Sequence, residues 1–169
     1  RVEIESELGR GTTVKLYLPR SREARREQSV GPVEVVATGR ERVLLVEDDD
    51  LLRVQVGGEL ENLGYRVVSA RSGLEALRLL QDGEQFDLLF TDVVMAGMTG
   101  EQLALLARNV APGLPVLYTS GHPETMMDEE GYLAPGVTLL RKPYRRRELA
   151  AKLREVLGVA PSRAASGQA

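Results

Sequence analysis

From Arg42 onward the chain alternates between short, almost unbroken aliphatic runs and longer stretches whose apolar residues recur every three or four positions. The aliphatic runs are RVLLV (42–46), YRVVSA (65–70), FDLLFT (86–91), LPVLYTS (114–120) and VTLLRK (137–142). Between them lie helical patterns. Leu52, Val56 and Leu60 fall at i, i+4 and i+8, while SGLE (72–75) and TGEQ (99–102) have the form of capping boxes that open helices. A last helix is predicted from about Arg145 to Leu157, with Leu149, Leu153 and Val156 on one face and Gly158 as its stop. Five strands alternating with five helices predict an α/β domain: a doubly wound, five-stranded parallel sheet with helices on both faces, because parallel neighbours need crossover connections. Strands apolar throughout, rather than at alternate positions, agree with burial on both sides.

The pattern before Arg42 is different. Residues 1–19 place Val2 and Ile4, then Val14, Leu16 and Leu18, at alternate positions around GRGTT, which reads as a β-hairpin with a glycine-containing loop. Two strands alone are marginal in water, so this piece is expected to need a partner sheet. Residues 20–41 carry Arg and Glu without a sustained period and read as a linker, and residues 158–169 are small and polar and read as a disordered tail. Gly57 and Gly58 fall inside the first predicted helix and cost it about 1 kcal/mol each relative to Ala.

Composition narrows the chemistry. The chain has 169 residues, no cysteine and no tryptophan, so the core must be aliphatic, and disulfides, thiolate metal sites and cysteine nucleophiles are excluded. A formal net charge of −3 argues against a dedicated nucleic-acid binder. No apolar run approaches the length of a membrane span and nothing at the start reads as a signal peptide, so the expected setting is cytoplasmic. Arg1 opens the chain inside a strand-like pattern, and the expectation is a piece of a longer protein.

Open parallel sheets work at the carboxyl ends of their strands. Those positions hold Glu47, Asp48 and Asp49 after the first run, Asp92 after the third, Thr119 and Ser120 at the end of the fourth, and Lys142, followed by Pro143, at the end of the fifth. Each has a plainer reading alone: acidic residues suit a helix N-terminus, Asp92 a turn, and Lys142 a surface position. Together they converge on one rim. Carboxylates held within a few Å repel unless a cation sits among them, and hard oxygen ligands of this kind suit Mg²⁺. A divalent ion, an ammonium and a hydroxyl are what a transferring phosphoryl group needs around its oxygens, and a carboxylate can serve as the nucleophile.

VLLVEDDD, LLFTDVVMAGMTG, PVLYTSG and LLRKPY, in that order, resemble the receiver domain of two-component response regulators over about residues 42–157. The resemblance implies a flavodoxin-like sheet of order 2-1-3-4-5. It also implies that Asp92 accepts a phosphoryl group from a phosphohistidine-bearing kinase or phosphotransfer domain. Mg²⁺ would be held by Asp48, Asp92 and the carbonyl of Val94, with Glu47 acting through a metal-bound water. Ser120 matches the hydroxyl residue that bonds a phosphoryl oxygen, Thr119 would point elsewhere, and Lys142 matches the family's lysine, joined to Pro143 by a cis peptide.

The N-terminal IESELGRGTTVKLYLP looks like the closing hairpin of the ATP-binding domain of histidine kinases, without its nucleotide-binding portions. The two resemblances together imply a hybrid histidine kinase, of which this piece neither binds ATP nor phosphorylates itself from ATP. His122, the single histidine, reads as a loop residue. A homodimer is compatible with this reading. Two departures bear on the switch: Ala96 stands where a proline is usual, and Leu139 where many receivers have Tyr or Phe. Tyr118 and Tyr144 read as packing residues. The loss of the aromatic supports the alternative, a receiver-like interaction or regulatory module that is never phosphorylated. A phosphatase with an aspartyl intermediate is disfavoured, because Val94 occupies the second position of the DxD pair it would need.

Overall fold

The structure, a computed structural model of the chain, describes residues 1–18, 39–122, 126, 133 and 136–158. It divides into two compact units, Arg1–Glu34 and Val35–Ala169.

The first unit holds strands β1 (Val2–Glu7) and β2 (Gly11–Leu16), the antiparallel pair that the alternation predicts, with Val2 opposite Leu16 and Ile4 opposite Val14. Reversal is tighter than the predicted GRGTT loop. Arg10 N–H donates to Glu7 O at 3.0 Å, and Gly9 takes φ +81°, which a type II turn requires at its third position. Thr12 and Thr13 therefore belong to β2, where β-branched residues suit the extended backbone. Val2, Ile4, Val14 and Leu16 are all exposed.

In the second unit the five predicted strands all form: β3 (Arg42–Val46), β4 (Arg66–Ala70), β5 (Leu88–Asp92), β6 (Val116–Ser120) and β7 (Thr138–Arg141). They pair in parallel in the order β4-β3-β5-β6-β7, the doubly wound topology expected. Successive side chains of β3 go to opposite faces. Val43 and Leu45 pack with Val56, Leu60, Leu149 and Leu153, and Leu44 and Val46 with Ala76, Leu80 and Leu103. Both faces are sealed, which explains why the strands read as unbroken aliphatic runs.

Four α-helices lie among the described residues: α1 (Asp50–Asn62), α2 (Gly73–Gln81), α3 (Gly100–Val110) and α4 (Arg146–Val156). The fifth predicted helix, between β6 and β7, the linker and the tail lie mostly outside the described residues. Both capping boxes place helix starts correctly. At α3 the exchange is reciprocal: Thr99 Oγ1 accepts from Gln102 N–H, and Gln102 Oε1 from Thr99 N–H. At α2, Ser72 caps Glu75 N–H, but the Glu75 carboxylate takes the N–H of Arg71, one residue earlier. Gly158 ends α4 with φ +68°. Gly57 and Gly58 have open or ordinary surroundings, and nothing in the structure explains them. Gly39, three residues before β3, is buried and donates its N–H to Leu63 O.

Candidate functional site

The parallel register brings the ends of β3, β5, β6 and β7 to one rim, and it is there that the chain places most of its unusual polar side chains. Glu47, immediately past β3, is only 3% exposed. Asp92 closes β5, and Lys142 follows β7, its backbone N–H donating to Ser120 O at 2.7 Å. The Lys142 Nζ donates at 2.8 Å to both Glu47 Oε2 and Asp92 Oδ2, joining residues far apart in the chain through one ammonium. Lys142-Pro143 is cis, as the resemblance implies.

This pairing sets the electrostatics. Burial pushes the Glu47 carboxyl above its ordinary range; Lys142 opposes that, and the charge on Asp92 adds to it. For Lys142 burial works to lower the ammonium, but the hydrogen bonds to Asp92 and Glu47 outweigh it and hold the group above its usual value. Tyr144, packed behind the rim, is pushed well up, first by burial and then by the charges of Glu59, Glu47 and Asp92, so it stays a neutral phenol.

The three consecutive acids after β3 do three different things. Glu47 faces Lys142. Asp48 reaches across to the loop after β5, its Oδ2 accepting from Ala96 N–H at 2.9 Å. Asp49 is the N-cap of α1, taking the N–H groups of Leu51 and Leu52 at 2.9 and 3.0 Å. Val94 is exposed in the loop just past Asp92.

Ser120 is buried at the end of β6, and its Oγ accepts from His122 N–H at 2.9 Å. Its hydroxyl is thus engaged by its own loop, a local contact that strand-end position does not foretell. Thr119 points away as expected, its Oγ1 set 3.5 Å from Thr91 O. Leu139 is half-buried opposite Tyr118 in the sheet register, and Tyr118 is buried in a cluster with Val93, Ala104 and Met126, the packing role expected of it.

Two residues that sequence reasoning passed over belong to this region. Arg53 Nη1 donates to Glu47 O at 2.9 Å, and its guanidinium pairs with Asp50. No spacing in the sequence distinguishes this arginine from a solvated one. Gly100 is buried against the backbone of Asp92, and the signal for it was a glycine at the first position of a helix that did not need one.

Among the described residues no group of three His, Cys, Asp or Glu side chains is poised to hold a metal ion, so the expected gathering of Glu47, Asp48 and Asp92 is not a preformed cage. The physical reason is Lys142, which stands between Glu47 and Asp92. The donor chemistry still fits Mg²⁺: Glu47 and Asp92 share one bridging ammonium, Asp48 takes a backbone N–H of the neighbouring loop, and Mg²⁺ needs only one or two carboxylates beside its waters.

An open, doubly wound sheet thus carries carboxylates and a lysine at its carboxyl rim, where α/β domains of this type place their working sites. The family model for the response regulator receiver domain matches residues 43–154, and the chain belongs to that family. Magnesium and phosphorylation are typical of it. The sensor kinase CckA of Brucella abortus (strain 2308) is 33% identical over 163 residues, 90% of this chain and 17% of that kinase. The response regulator receiver protein CpdR of the same organism is 33% identical over 116 residues, 69% of this chain and 96% of its own length. Among solved structures, the receiver domain of the hybrid histidine kinase CckA is 34% identical, with a TM-score of 0.58 over 69% of this chain and 98% of its own. A response regulator receiver protein from Sinorhizobium medicae WSM419 is 28% identical, with a TM-score of 0.62 over 70% of this chain and 95% of its own. The chain thus spans about a sixth of the sensor kinase it matches.

Proposed function

We propose that this chain is a phosphoacceptor in a two-component relay, with Asp92 taking a phosphoryl group from a phosphohistidine-bearing kinase or phosphotransfer domain. The observation that carries this reading is the Lys142 ammonium held 2.8 Å from an Asp92 oxygen at the carboxyl rim of the sheet. A carboxylate oxygen of Asp92 forms the new bond to phosphorus as the bond to the histidine nitrogen breaks, and the imidazole leaves with the electron pair. Lys142 sits where it offsets charge growing on the moving oxygens. Asp48, Asp92 and the Val94 carbonyl would hold Mg²⁺, with Glu47 contributing through a water. When bound, that ion neutralises phosphoryl oxygens. Ser120 gives up the His122 N–H to bond a phosphoryl oxygen, which alters the loop after β6 and shifts the population between two surface arrangements.

The match to a sensor kinase covers 90% of the chain and supports a hybrid-kinase origin. In this reading residues 1–19 close an ATP-binding domain, 20–41 are a linker, 42–157 are the receiver and 158–169 a tail, and the setting is cytoplasmic. Among the described residues no helix is long and apolar enough to cross a membrane.

The test is labelling by acetyl phosphate with Mg²⁺. The parent chain takes up one equivalent and Asp92→Asn none; stoichiometric labelling of Asp92→Asn places the acceptor elsewhere. A parent that is not labelled, and that binds no beryllofluoride with Mg²⁺ by calorimetry, is instead a receiver-like interaction module.

A further inference from the structure

Glycine at the first position of α3 needs a reason. Its φ is not positive, the cap is supplied by Thr99 and Gln102, and glycine is a poor helix former. The reason is space. A Cβ added to Gly100 would fall deep inside the contact distance of Asp92 O, and would lie 3.1 Å from Asp92 C and 3.2 Å from Thr91 Cγ2. The Asp92 carbonyl cannot simply step aside. Its oxygen accepts from Thr91 Oγ1 at 2.9 Å, and the next residue is held twice, Val93 N–H donating to Thr119 O and Val93 O accepting from Gly100 N–H, each at 2.9 Å. Thr91 is itself fully buried. The main chain of Asp92 is thus wedged between the sheet and the first turn of α3, and its side chain meets Lys142 from that fixed base.

We propose that Gly100 is a positioning residue for the phosphoacceptor: by letting α3 seat directly on the Asp92 backbone, it fixes where the Asp92 carboxylate stands relative to Lys142. The inference rests on Asp92 being the acceptor. Gly73 supplies the comparison. A Cβ there would also be crowded, 2.6 Å from Met98 Sδ, but the obstacle is the end of a flexible side chain that can turn aside. At Gly100 the obstacle is backbone, and relief requires Asp92 or α3 to retreat by on the order of 1 Å.

The experiment compares Gly100→Ala and Gly73→Ala in the 169-residue chain, by acetyl phosphate labelling at saturating Mg²⁺ and donor and by the crystal structure of each variant. For Gly100→Ala the saturating rate constant falls about 10- to 100-fold, as a misplacement of this size produces, and Asp92 Oδ2 leaves hydrogen-bond reach of Lys142 Nζ. Gly73→Ala stays within about twofold of the parent. Adding Thr91→Ser to Gly100→Ala does not restore the rate, because the main obstacle is the Asp92 carbonyl. A Gly100→Ala protein that melts lower but labels at the parental saturating rate, with the Asp92–Lys142 contact kept, overturns the proposal, and so does recovery in the double variant. Should Gly100→Ala not fold, Thr99→Ala loosens the seat of α3 without adding an atom. A saturating rate slowed about threefold is then expected as the seat loosens, and an unchanged one overturns the proposal. If the parent itself takes no label, the acceptor assignment fails, while the Asp92–Lys142 separation in the variant structure still decides the positioning.

Discussion

At the scale of single residues, the rim was readable because strand ends are readable. Once the aliphatic runs are set parallel, Glu47, Asp92 and Lys142 must come together, and they do. Side-chain partners were less legible, because they depend on local turns. Asp48 finds Ala96 N–H, Ser120 finds His122 N–H, and nothing in the spacing of either pair announces it. The most consequential of these partners is the buried Glu47 carboxyl, whose raised pKa has a sign that can be tested. A carboxyl held above its unfolded value favours the fold while protonated. That contribution is present below about pH 4.5, the ordinary value, and is lost as pH rises through the raised one. Glu47→Gln removes this titration. The expected result is that its urea midpoint, relative to the parent, shifts upward between pH 4 and pH 7; a difference that is flat with pH contradicts the shift.

Elements were legible where period and caps agree. Ser72 and Thr99 stand at helix starts and Gly158 at a helix end as expected, since capping depends on the few residues beside the terminus. The hairpin is legible but its exact turn is not, because Gly-Arg-Gly-Thr-Thr offers two glycines and only register decides which one turns the chain. Helix α1 was the weakest pattern: Leu51 and Val54 are exposed while Val56 and Leu60 are buried, so its apolar residues occupy more than one face. Burial therefore separates similar residues by effect. Leu45→Ala on β3, 1% exposed, is expected to lower the unfolding free energy by about 2–5 kcal/mol. Leu51→Ala, 83% exposed, should stay within about 0.5 kcal/mol. Equal losses by urea denaturation contradict this separation of buried from exposed leucines.

For the molecule as a whole, the two units differ in what protects their backbones. Strand β3 is flanked by strands on both sides and covered above and below, whereas among the described residues β1 and β2 pair only with each other and carry exposed apolar side chains. Amide exchange should reflect this: at neutral pH the β1–β2 ladder exchanges at least about 100-fold faster than the β3 and β5 amides. Comparable protection in both would mean that the hairpin is covered in solution.

The sharing of one ammonium between Glu47 and Asp92 reaches into how this domain is manipulated. An asparagine at position 92 does more than refuse a phosphoryl group. It deletes one of two anions that a single cation was serving, relieves the repulsion acting on Glu47, and leaves Lys142 to turn wholly to its remaining partner. A neutral amide there reports faithfully on chemistry, but as a stand-in for the resting protein it carries a redistributed charge of its own.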